Sequence, residues 1–162
     1  MRKLAILLSL ILCVGCNPEV LREFDPDDSI SVTNYATLAN TSAFSATYVL
    51  LSQKKPDVVE VNAVIDVVGL VKMAVETADP QDISEVIDNI ITNLPAGSNT
   101  DLIRAIVPKA VRTTLLLITI TDLTPDQQAW VEAVKTVVTQ ALNGVNEACS
   151  TYKINNLEIT NA

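Results

Sequence analysis

A chain of 162 residues that is 49% apolar can fill the core of one ordinary domain, but it has no histidine, the usual general base near neutral pH and the commonest metal ligand. Its formal charge of −8 opposes binding to a nucleic-acid backbone and to anionic lipid headgroups. Aromatic residues make up only 4%, so the core has to be assembled from Val, Ile, Leu and Ala through many small contacts.

The first element is a leader. Met1-Arg2-Lys3 is a short positive start, and Leu4 to Val14 is apolar except for Ser9. Eleven residues span roughly 16 Å as a helix, about half of a ~30 Å hydrocarbon core. The run is too short to cross a membrane and has the proportions of a secretory signal peptide over residues 1–15. Its removal with Arg2 and Lys3 leaves nine basic against 19 acidic residues, a charge of −10. Small Gly15 before Cys16 suits a peptidase that needs a narrow side chain there.

Positive start, apolar run and then Cys13-Val14-Gly15-Cys16 together resemble the lipobox of bacterial lipoproteins, with Cys13 where Leu is usual. The resemblance covers about the first 17 residues. It implies a diacylglycerol thioether on Cys16, cleavage between Gly15 and Cys16, and acylation of the new amine. One acyl chain anchors only marginally, at ~0.8 kcal/mol per buried methylene; two or three anchor durably. In that class Asp after the lipidated cysteine favours inner-membrane retention in diderm bacteria. Asn17 stands here, which implies the outer membrane in such a host. A secretory leader cut nearby and an uncleaved anchor are the alternatives. With Cys13 removed and Cys16 acylated, only Cys149 of the three cysteines stays free. It is either a buried small hydrophobe or paired with another subunit.

Residues 16–30 read as the lipidated cysteine and a flexible acidic tether. Asn17 to Asp28 holds two prolines and five carboxylates with little periodicity. Residues 31–151 read as a helical domain. Ser31 to Gln53 is the first helix, stopped by Pro56; Ala36, Ala39, Ala43 and Ala46 form a small-residue stripe beside Phe44, Tyr48 and Leu51. Asp57 to Thr77 is the second, with Val61, Val64, Ile65, Val68, Val71 and Val75 on one side and Asn62, Asp66 and Glu76 on the other. Pro80 to Leu94 is the third, capped by Asp79, with an isoleucine stripe through Ile83, Ile87 and Ile91.

A fourth helix starts near Asn99 and runs to about Thr121, with Pro108 expected to kink or split it. Its last stretch, Leu115 to Thr121, also alternates as a strand does, and only the segment from Tyr152 offers that strand a partner. Pro125 to Ala148 is the fifth helix, opened by a Thr124/Gln127 capping box and lined by Trp130, Val134, Val137, Val138, Ala141 and Val145. Residues 152–162 read as a frayed tail. A shift of 47 residues lays Ile83, Ile87, Ile90 and Ile91 over Trp130, Val134, Val137 and Val138, as any two amphipathic helices can align. The short loops predict an all-α fold, an antiparallel bundle of four to five helices.

Chemistry finds little purchase. Ser52-Gln53-Lys54-Lys55 matches the S-x-x-K pattern of a lysine-activated serine, but it sits at a helix end with no companion motif. Asp25 to Ser29 begins like a calcium loop, yet Ile30 and Ala36 occupy the positions that need Gly and Glu. Asp82, Glu85 and Asp88 oppose the isoleucine stripe, as a solvated face does. Cys149 has no histidine to ionise it, and Trp130 fits an anchor of the core. The expectation is no catalytic residue, no metal and no cofactor. The function expected is that of a membrane-anchored lipoprotein whose non-enzymatic domain binds or shields an envelope partner. A carrier of an apolar ligand between helices and a phage-encoded lysis or receptor-blocking lipoprotein are the alternatives.

Overall fold

The protein is described by a computed structural model over residues 24–79, 82–94, 99–117 and 128–158. Among them lie five α-helices: α1 (Ser29–Lys54), α2 (Val58–Thr77), α3 (Ile83–Thr92), α4 (Asn99–Leu117) and α5 (Gln128–Lys153), the last followed by a π turn, Ile154–Glu158. No strand occurs among these residues, and the helices pack on one another as a bundle. The leader, Cys16, Pro80, residues 95–98 and 118–121, the Thr124/Gln127 box and residues 159–162 lie outside the described residues.

The valines of α2 show why tertiary packing decides this fold. Valine costs up to ~0.7 kcal/mol against alanine in an isolated helix, whereas burying it contributes ~1.5 kcal/mol or more. Val61, Val64, Val67, Val68, Val71 and Val75 are all buried, against Ile83, Ile87 and Ile91 of α3, Ile103, Ile106, Val107 and Val111 of α4, and Val134, Val137, Val138, Leu142 and Val145 of α5. A full capping box starts α2. Asp57 Oδ1 accepts from the Val59 and Glu60 amides at 2.9 Å, and Glu60 Oε2 accepts from the Asp57 amide at 3.0 Å.

Several boundaries differ from the sequence reading, each for a local reason. The acidic segment is not a tether up to residue 30. Asp28 caps α1 by accepting from the Ile30 amide, the Asp25 amide donates to Ser31 Oγ, and Phe24 meets Tyr35 edge-on at 5.0 Å. Lys55 closes α1 in the left-handed region (φ 51°), its amide bonding Leu51 O. α3 is shorter than Pro80–Leu94. The Asp82 amide turns tightly back to Asp79 O at its start, and both the side chain and the amide of Asn93 donate to Asn89 O at its end. Pro108 is accommodated inside one continuous helix. Leu115 and Leu116, candidates for a strand, are helical. At 10 and 26 residues, α3 and α5 are not copies of one unit.

The largest difference is at the C-terminal end of α5, where residues 152–158 are not frayed. Tyr152 is buried edge-on against Tyr48 at 6.4 Å, and Tyr48 in turn stacks on Phe44 at 6.0 Å. Lys153 Nζ donates to Asn62 Oδ1 at 2.9 Å, tying this end to the start of α2.

The bundle is not antiparallel throughout. Asn40 of α1 lies against Gly144 of α5, and eight residues further along both helices Tyr48 lies against Tyr152. The two advance together, so α1 and α5 are parallel, and the intervening helices form the crossover. α2 runs against α5: Lys153 bonds Asn62, Lys72 bonds Asn143 at 2.7 Å, and Lys135 bonds Glu76 O at 2.8 Å. The alanine stripe of α1 makes the parallel pair close. Ala36, Ala39 and Ala43 are buried, and the stripe continues through Thr47 and Leu51 rather than the exposed Ala46. Facing it are Ala141, Gly144, Val145 and Ala148.

Candidate functional site

The residues singled out for chemistry are not brought together. Ser52 and Lys55 stay exposed at the end of α1. The aspartates near residue 25 are spent on local turns: Asp25 Oδ1 accepts from the Asp27 amide, and Asp28 is the cap of α1. Asp88 forms a two-pronged ion pair with Arg112 of α4, at 2.8 and 2.6 Å, with both side chains about half exposed. Such a pair contributes at most ~1 kcal/mol and joins α3 to α4 rather than forming a reaction centre. No cluster of three metal-ligating side chains exists among the described residues. Trp130 is half-buried and packs against the core.

Cys149 is fully buried, and desolvation raises its thiol from 9.0 to about 12. Burial, and then the nearby Tyr48, raise the Tyr152 phenol as well. Both groups stay protonated and inert near neutral pH. A thiol held protonated up to about 12 in the fold but titrating near 9.0 when unfolded leaves stability complete below pH 9 and removes it as pH rises toward 12. Alkaline urea titrations should therefore show a falling midpoint above pH 9, with a shallower fall in Cys149→Ala. In the native protein at neutral pH, Cys149 should resist maleimide and react only after unfolding.

Two surfaces remain. The first is an open groove of about 450 Å³ between the N-terminal halves of α1 and α5, lined by Val32, Thr33, Ala36, Thr37, Asn40, Thr136 and Gln140. The hydroxyls of Thr33, Thr37 and Thr136 donate to carbonyls four residues back, at 2.7, 2.9 and 2.8 Å, so part of its polarity is consumed by the helices themselves.

The second surface is the outer side of α2. Val59, Ala63, Asp66, Leu70 and Met73 follow one another at alternating spacings of four and three, on the side opposite the buried valines. Val59, Leu70 and Met73 are 61%, 48% and 59% exposed. The sequence reading assigned this side to Asn62, Asp66 and Glu76 and missed that three large apolar residues share it. The signal was present as a second apolar period half a turn from the first.

No family model, curated protein or solved structure matches the chain.

Proposed function

We propose that this chain is a lipid-anchored protein of the bacterial envelope, held to a membrane through Cys16, whose helical domain binds or shields an envelope partner without catalysing a reaction. The observation that carries the reading is the leader that ends in Cys13-Val14-Gly15-Cys16. No described helix is long and apolar enough to cross a membrane, so an anchor at Cys16 supplies attachment that these helices do not. Support for a binding role comes from the apolar outer side of α2, since exposed apolar surface of this kind marks contact sites. A carrier of an apolar ligand instead requires an enclosed apolar cavity, and the described groove is open and carries Thr, Asn and Gln. Asn17 after the acylated cysteine directs the protein to the outer membrane of a diderm host.

Intact-mass spectrometry of the protein purified from membranes tests the anchor. The expected species begins at Cys16 and carries diacylglycerol and an amide-linked acyl chain. An unmodified Cys16, or a retained leader, overturns the proposal.

A further inference from the structure

We propose that the outer side of α2 is a docking seam for an amphipathic helix of a partner protein, apolar at alternating four- and three-residue spacing and carrying Lys or Arg opposite Asp66. The inference deepens the functional reading above and rests on it only for the existence of a partner.

A helix that is apolar nearly all round is normally buried on all sides. α2 buries its valines in the core and still presents Val59, Leu70 and Met73 to solvent. Their spacing through Ala63 and Asp66 is that of a two-helix seam, in which alternate positions insert between side chains of the facing helix. Gly69 borders the stripe. A Cβ there would meet nothing within 4 Å, so the fold itself does not require glycine, a residue that weakens helices. Its smoothness serves close approach from outside.

Charge decides between occupants. Asp66 stands in the middle of the stripe and has no ion-pair partner among the described residues. The three lysines that reach α2 or belong to it are engaged elsewhere: Lys72 bonds Asn143 of α5, Lys153 bonds the Asn62 side chain and Lys135 bonds Glu76 O. A second copy laid antiparallel on this seam would set its own Asp66 against this Asp66, and an anionic bilayer would be repelled in the same way. A single polar residue within an apolar seam fixes register and partner, and its complement is a cation.

The test uses the full chain in detergent and two fluorescein-labelled synthetic helices of about three heptads. Both carry leucine along one seam; one has Lys at the central position and its twin has Glu. Fluorescence anisotropy should show the Lys peptide binding at least about tenfold more tightly than the twin. The double variant Leu70→Ser/Met73→Ser should lose that binding, and Asp66→Lys should reverse the preference. Circular dichroism verifies that these solvent-facing substitutions leave the helices intact. Equal binding of the twins, no binding of either, or binding that survives the double serine variant overturns the proposal. So does sedimentation showing that the chain self-associates through Leu70 and Met73, or a photocross-link from position 70 to the chain's own residues. The Cys16→Ser chain should bind the Lys peptide unchanged. A lost seam with an acylated Cys16 would refute this inference alone, and a bare Cys16 with an intact seam would refute the anchor alone.

Discussion

Gly144→Ala is expected to lower the stability of the domain by about 1–3 kcal/mol, although alanine is the better helix former by about 1 kcal/mol. A Cβ at this position would meet the Asn40 carbonyl oxygen well inside van der Waals contact, and would lie 2.9 Å from the Asn40 carbonyl carbon and 3.0 Å from the Phe44 amide nitrogen. All three are backbone atoms of α1, so no rotamer change relieves the overlap. The whole of α1 has to lift, and Ala36, Ala39 and Ala43 lose their seat on α5. Thermal unfolding followed by circular dichroism should show a midpoint lower by about 5 °C or more. Gly69→Ala is the matched control: nothing lies within 4 Å of its Cβ position, and it should gain about 0.5–1 kcal/mol. A gain of similar size at both positions would mean that α1 does not sit on α5 in this register.

Cys16→Ser is expected to move the protein from the membrane fraction to the soluble fraction. Each buried methylene contributes ~0.8 kcal/mol, so a single chain exchanges while two or three hold durably. A serine at this position forms no thioether, and the Leu4 to Val14 run spans only about half of the hydrocarbon core. The folded part should be untouched, with the same helical spectrum and thermal midpoint, because among the described residues the buried core begins at Ala36 and the first side chain packed against it is Phe24. Fractionation followed by immunoblotting reads the result. Membrane association equal to that of the unaltered chain would rule out lipidation at Cys16 as the anchor.

Local chemistry made most of the helices legible. α2 starts at a carboxylate three residues before a glutamate, and Pro56 and the αL turn at Lys55 end the helix before it. These are decisions among neighbours, and periodicity adds the valine stripe. What stayed hidden depends on distant residues. The alanine stripe announced a close helix contact, but its partner was not readable, because Gly144 means close approach only once Asn40 is opposite it. Parallel pairing was hidden for the same reason. The polar segment after Thr151 looked frayed, and its helical course rests on contacts with distant residues, Tyr152 with Tyr48 and Lys153 with Asn62. At the candidate seam, Asp66 and its polar neighbours obscured Val59, Leu70 and Met73, whose exposure is visible only when the opposite side is known to be covered.

Parallel pairing of α1 with α5 sets the order of events during synthesis. About a hundred residues separate Asn40 from Gly144, so at ~5–20 residues per second α1 waits for roughly 5–20 s before its mate emerges. Throughout that delay the centre of the waiting surface offers the small side chains of Ala36, Ala39, Ala43 and Thr47, with Leu51 at its end and Val32, Tyr48 and Leu50 along its margin. Such a surface gives chaperones and neighbouring nascent chains little to grip, so the late closure of this pair carries a low risk of aggregation.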